Sequence, residues 1–209
     1  MSREVQIAKT VLWSMLTVAL LGVTALFVID RADRSRQTLP VIDPVPAFQF
    51  TERNGEPFGL DDFAGKISLV DFIFTNCQGP CPVMGANMAM LYRFYEHSPS
   101  VQFVSISVDP ARDSLNVLQA YARSLGVDDN RWKFLNGPLP AVKTLSEDGF
   151  HLAADQLPMG HSTRFVLVDQ KAQIRAYYDG NDLIDFDKLH EDIRNLAGEK
   201  PAPVTRNDY

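Results

Sequence analysis

Eight consecutive residues constrain this chain more than any other feature. Ile67 to Phe74 reads Ile-Ser-Leu-Val-Asp-Phe-Ile-Phe, bounded by Gly65-Lys66 on one side and Thr75-Asn76 on the other. A near-continuous apolar run of this length predicts a strand buried on both faces, which needs cover on both sides. Asp71 interrupts the run, so it requires a partner or an edge.

The segments around this strand supply the cover. Pro82 to Tyr95 reads as a helix with Met84, Met88, Leu91 and Tyr95 on one face. Val101 to Val108 alternates as a strand. Asp113 is placed to cap a following helix, in which Leu115, Leu118, Tyr121, Ala122 and Leu125 recur at helical spacing up to Gly126. Trp132 to Leu135 reads as a short strand, and Leu139 to Glu147 as a helix ending at Gly149. Ser162–Asp169 and Ile174–Tyr178 form a strand pair, and Asp185–Ala197 is a last helix before the polar tail 199–209. Upstream, Ala47–Thr51 reads as a strand leading into the turn Arg53-Asn54-Gly55-Glu56. Strands alternating with helices, then a hairpin and a terminal helix, predict a layered α/β domain with a mixed sheet.

Ahead of this body lies a different kind of segment. Val11 to Ile29 holds 19 residues without a charge, roughly 28 Å of helix against a hydrocarbon core of about 30 Å. Trp13 lies near one end, where an indole suits the interface. The expected organisation is an N-terminal segment 1–10, a transmembrane anchor 11–29, a linker 30–46 with Pro40, Pro44 and Pro46, a domain 47–198 and the tail 199–209. A cleaved signal peptide is the rival reading, but no clear small-x-small site follows the run. Arg3 and Lys9 precede it and Arg31, Arg34 and Arg36 follow it, so the basic residues do not set an orientation. Residues 1–36 hold five basic and three acidic residues, and the rest of the chain holds 15 and 23. The overall charge of −6 therefore resolves into a +2 segment and a −8 body, which argues against a nucleic-acid partner.

The chemistry concentrates after the buried strand, in Thr75-Asn76-Cys77-Gln78-Gly79-Pro80-Cys81-Pro82. Pro82 suits the first helical position. Cys81 is thus expected at a helix start, where unpaired N–H groups and the helix dipole would lower its pKa. A merely structural disulfide would close a short loop worth only about 2 kcal/mol. Two cysteines are too few for a four-thiolate zinc or iron–sulfur site. Among four histidines, His97 ends a helix, His151 lies in a loop and His190 sits among charges on the last helix. His161 stands immediately before a strand in Pro158-Met159-Gly160-His161-Ser162, from which it can approach the cysteine loop. Two thiolates and one imidazole suit copper: thiolates hold Cu(I), and imidazole accommodates Cu(II).

The motifs Thr75-x-Cys77-x-x-x-Cys81-Pro82, Ser107-Val108-Asp109-Pro110-Ala111-Arg112-Asp113 and Gly160-His161 together resemble the Sco/SenC family. Trp132-x-Phe134-Leu135-x-Gly137 and the opening from Phe48-x-Phe50 to Gly55 extend the resemblance over about residues 44 to 197. The resemblance implies a thioredoxin-like, three-layer domain with a mixed central sheet. It also implies a membrane-anchored copper chaperone serving cytochrome c oxidase assembly, with Cys77, Cys81 and His161 as the copper ligands. It places the soluble domain outside the cytoplasmic membrane or in the mitochondrial intermembrane space. With no Arg-rich transit segment, a bacterial protein anchored once in the inner membrane and facing the periplasm is expected. One departure is Gln78-Gly79-Pro80 between the cysteines, where relatives often carry a Pro first and an acidic residue.

Asp109 falls at a strand end, where it is either a supporting group orienting His161 or a loop-capping residue. Met84 and Met88 read as core, and Met159 as a weak copper candidate. The expected partner is a copper-receiving subunit of a respiratory oxidase or another periplasmic copper protein. The alternative is a thiol–disulfide reductase that keeps a partner's copper-site cysteines reduced through Cys77 and Cys81, without need of His161. A peroxidase of the peroxiredoxin type fits worse, since no Pro occurs from Ile67 to Asn76.

Overall fold

The computed structural model describes residues 3–34, 39–77, 79, 81–182 and 186–198. The chain divides into two units, Met1–Thr38 and Leu39–Tyr209. The first is helix α1, Arg3–Arg34. Its side chains from Leu12 to Leu26 are exposed. The hydroxyls of Thr17 and Thr24 donate back to carbonyls one turn earlier, at Trp13 and Ser14 and at Leu20 and Leu21. Among the described residues, no helix is long and apolar enough to cross a membrane. The polar tail 199–209 and part of the linker lie outside the described residues.

The second unit is built on one eight-stranded sheet, with strands β1 (Asp43–Pro44), β2 (Gln49–Glu52), β3 (Pro57–Gly59), β4 (Ile67–Ile73), β5 (Val101–Ser107), β6 (Trp132–Asn136), β7 (Arg164–Val168) and β8 (Gln173–Asp179). Their spatial order is β1-β8-β7-β4-β5-β6-β2-β3. β4, β5 and β6 run parallel, and the flanking pairs are antiparallel, so the sheet is mixed. The run of Ile67–Ile73 is buried at every position, as expected of a central strand. Its alternate residues feed two cores. Ile67, Leu69 and Ile73 pack with Met84 and Met88 of α2 (Cys81–Phe94), Leu118 of α3 (Leu115–Ser124) and Leu189 and Ile193 of α5 (Phe186–Gly198). Val70, Phe72 and Phe74 pack with Val142 of α4 (Leu139–Thr144), Leu145 of the π turn after it, and Phe150. The result is a three-layer, thioredoxin-like α/β domain.

Asp71 meets its partner across the parallel pair. Ser105, its register neighbour on β5, donates to Oδ1 at 2.6 Å, and Trp132 Nε1 donates to Ser105 Oγ at 2.9 Å. Asp71 Oδ2 is buried without a hydrogen-bond partner. Burial pushes the Asp71 carboxyl up to about 7, although the Ser105 bond opposes it.

Two expectations need correction here. The last part of the expected linker belongs to the sheet: β1 pairs with β8, Val45 is buried, and Arg175 donates to the carbonyls of Leu39 and Pro40 while pairing with Asp169 at 2.6 Å. Asp113 does not cap α3. Ser114 takes the cap position, without a side-chain cap bond, and the Asp113 carboxylate turns inward to other partners.

Candidate metal centre

The loop carrying the cysteines follows β4 because the apolar run stops at Phe74 and the next residues are small or polar. α2 then begins at Cys81, with Pro82 in its first turn. Cys81 is buried, and its apolar neighbours belong to the same core as Phe72, Phe74, Val108 and Leu152. Cys77 is half-buried, and both cysteines are free thiols. The Gly79 N–H donates to Cys77 Sγ at 3.4 Å.

His161 comes from the far end of the chain, 80 residues on. Its backbone bridges to Ala154. Its ring meets Phe74 edge-on, centroids 5.5 Å apart at 88°. Nδ1 lies 3.0 Å from the Ser162 carbonyl, which can only accept, so Nδ1 carries the proton. Nε2 is then the lone-pair nitrogen, and it faces Cys81 Sγ at 3.2 Å, where the thiol donates to it. Burial lowers the His161 pKa, against the bonds to Ser162 and Phe72, so the imidazole is held neutral.

The thiolate expected at Cys81 is not the resting state. Burial first, then the neighbouring Cys77 thiol, pushes its pKa up to about 12; the ionised Asp71 adds to this and a backbone bond from Phe74 opposes it. The helix start is present, but desolvation outweighs the dipole. A buried thiol next to a neutral imidazole is a poor free nucleophile and a good masked ligand pair: a soft cation that displaces the proton gains both donors at once.

Among the described residues, no group of three or more His, Cys, Asp and Glu side chains is already arranged to hold a metal ion. The structure brings Cys81 and His161 into contact and sets Cys77 beside Cys81. It does not bring Asp109 to His161: the Asp109 carboxylate faces Arg112 at 3.3 Å, and the Ser162 carbonyl takes the histidine's second nitrogen. His97 faces Glu96, His151 faces Asp43, and His190 bonds Tyr95. Met84 and Met88 are core, while Met159 is exposed.

Residue-level reading missed Thr75, Ser107 and Asp113. Asp113 is buried, and accepts from Thr75 Oγ1 at 2.5 Å, Ser107 Oγ at 2.6 Å and, at 3.3 Å, the Thr75 N–H. The available signal was a second acid four residues after Asp109 in a loop that needed only one cap.

A fold and half-site of this kind define a thiol–imidazole protein of the thioredoxin-like class. A SCO1/SenC family model matches residues 36–198, and the chain belongs to that family. It is 28% identical to the SCO1 protein homolog of Bacillus subtilis over 165 residues, 76% of this chain and 85% of that one. A SCO1/SenC family lipoprotein from Bacillus anthracis superposes with a TM-score of 0.71 at 37% identity, covering 78% of this chain and 98% of that one. BsSco, a member of the Sco family of cytochrome c oxidase assembly proteins in which a disulfide switch was identified, gives 0.71 at 26%, covering 78% and 100%. The copper-bound ScoI of Bradyrhizobium japonicum shares the fold, with a TM-score of 0.61 at 21% identity over 73% of this chain and 99% of that one.

Proposed function

We propose that this protein is a membrane-anchored copper chaperone of respiratory oxidase assembly, which holds copper through Cys77, Cys81 and His161 and passes it on. The observation that carries the reading is the 3.2 Å approach of Cys81 Sγ to the lone-pair nitrogen of His161, with Cys77 adjacent. Family membership and the copper-bound relative support the metal, and the description of BsSco supports the destination. Copper is the cargo. Loading releases the thiol protons, so affinity rises with pH. Unloading runs by ligand exchange, an incoming thiolate reaching the half-buried Cys77 side before the buried pair. The acidic body steers a basic partner surface, the receiving oxidase subunit or another periplasmic copper protein.

The anchor is α1. Its uncharged run and the internally satisfied Thr17 and Thr24 hydroxyls suit a bilayer, in which polar groups find no water. The soluble domain then faces the periplasm from the inner membrane of a bacterium.

The test is copper stoichiometry and affinity, in both oxidation states, for wild type, His161→Ala and Cys77→Ser. One copper per chain, with both variants weakened, is expected. Wild-type binding by His161→Ala sinks the three-ligand site. A second reading, a reductase for a partner's copper-site cysteines, is favoured by the two adjacent free thiols, one of them half-buried. Reduction of a disulfide in a copper-site peptide by the metal-free protein, surviving His161→Ala while copper binding is lost, selects that reading.

A further inference from the structure

Among the described residues, Thr75, Asn76, Cys77 and Gly79 have one hydrogen-bonded tie to the scaffold beyond the contact between the two thiols. It runs from Thr75 to Asp113. The far end of the tie is itself fixed. The Asp113 N–H donates to the Asp109 carbonyl at 2.9 Å, and Asn136 Nδ2 donates to the Asp113 carbonyl at 2.7 Å and to the Pro110 carbonyl at 3.0 Å. Ser107 holds the second carboxylate oxygen. One buried residue therefore joins the end of β5 to the residue two positions before Cys77 through its carboxylate, and reaches the end of β6 through its backbone carbonyl.

The donors are all neutral, and both hydroxyl contacts are short. Burying a carboxylate for a helix cap is unnecessary here, because Ser114 occupies the cap position. The acid's work is at Thr75.

We infer that Asp113 and Thr75 form a clamp that sets the position of Cys77 against the Cys81–His161 pair. Both are positioning residues for the copper site; the inference rests on the copper reading for its metal consequence, but not for its effect on the apoprotein. Cys81 and His161 are held by α2, the Phe74 ring and the Ala154 bridge, which are ties separate from the Thr75–Asp113 bond. Without the clamp the third donor becomes loose while the first two stay in place.

The experiment compares wild type, Thr75→Val, Thr75→Ser and Ser68→Ala as full chains in detergent. Thr75→Val keeps the shape and removes the hydroxyl donor; Thr75→Ser keeps the donor. Ser68→Ala removes the buried acceptor of Gln102 at the opposite end of β4 from the cysteine loop, and so controls for stability. Two quantities are read: the iodoacetamide alkylation rate of Cys77 in metal-free protein, mapped by mass spectrometry, and Cu(I) affinity by competition with a chromophoric chelator. Thr75→Val is expected to raise Cys77 alkylation several-fold and to weaken Cu(I) binding about tenfold, the lower end of what supporting groups contribute at metal sites. Thr75→Ser matches wild type in both. Ser68→Ala lowers thermal stability but leaves both readouts in place. Unchanged alkylation in Thr75→Val overturns the clamp, as does an equal change in Ser68→Ala. Should Thr75→Val fail to fold, Thr75→Ala removes the same hydroxyl and is judged by the same outcomes. Absence of copper binding by wild type defeats the chaperone reading, while the alkylation series still decides the clamp.

Discussion

The two halves of the candidate site are built differently. Cys81 and His161 are buried, in contact, and fastened by a helix start, an aromatic edge and a backbone bridge. Cys77 is half-buried on a loop tied back through Thr75. A closed structural metal site fixes all its ligands and holds its metal permanently. A fixed pair with one donor on a loop suits a metal that must leave. On the proposed copper reading, the fixed half supplies selectivity for a soft ion, and exchange begins at the loop half.

The largest effect expected lies in the fixed half. Cys81→Ser replaces a soft donor by a hard one in a buried position, so Cu(I) affinity should fall at least about a thousandfold. Competition titration measures it; a loss below tenfold would show that the metal sits elsewhere. His161→Ala should cost about a hundredfold, and should also leave the buried Cys81 thiol without its acceptor. If Cys77→Ser proves more damaging than Cys81→Ser, the assignment of fixed and exchanging halves is reversed.

Asp71 provides a smaller, pH-dependent test from beneath the fixed half. Its folded pKa of about 7 lies above its ordinary value, so the folded state keeps a proton that the unfolded state releases. Its contribution is therefore full below about pH 4 and is lost as pH rises toward 7, leaving none beyond. Between pH 5 and 8 this amounts to about 3 kcal/mol. Urea unfolding should show wild type losing stability over that range and Asp71→Asn losing much less. Parallel curves for the two proteins would mean that the orphaned Oδ2 is solvated after all. The charge also bears on Cys81, since an ionised Asp71 opposes its thiolate. Asp71→Asn should therefore ease Cys81 deprotonation, which alkylation against pH can follow.

These contrasts were only partly legible in the amino-acid order. The buried strand, the helix at Cys81 and the core methionines follow from local pattern, because apolar periodicity directly reports burial on a strand or helix. The state of Cys81 does not, because it is buried in a core whose other members, Val108 and Leu152 among them, lie far along the chain. Dipole reasoning sees the helix and misses the apolar wall. Asp113 was misread for a similar reason. Its sequence neighbours suggest a cap, while its real partner, Thr75, lies 38 positions upstream. Arg175 reaching back to Leu39 and Pro40 likewise shows why the sheet begins inside a stretch that composition marks as linker.

The smallest expected effect separates two readings of Asp109. If it oriented His161, Asp109→Asn would disturb the fixed half and weaken copper binding tenfold or more. The geometry argues otherwise. Its carboxylate faces Arg112, whose side chain is 71% exposed, and the histidine proton it would have accepted goes to the Ser162 carbonyl. Ion pairs with so exposed a partner contribute about 0–1 kcal/mol. Asp109 also receives a backbone role, its carbonyl accepting from the N–H groups of Arg112 and Asp113, which the substitution leaves intact. Asp109→Asn should therefore shift Cu(I) affinity by less than about threefold and the melting temperature by a few degrees at most. A tenfold loss of affinity at unchanged stability would move Asp109 into the fixed half, and would mean that the loop before α3 acts on the histidine as well as on the Cys77 side.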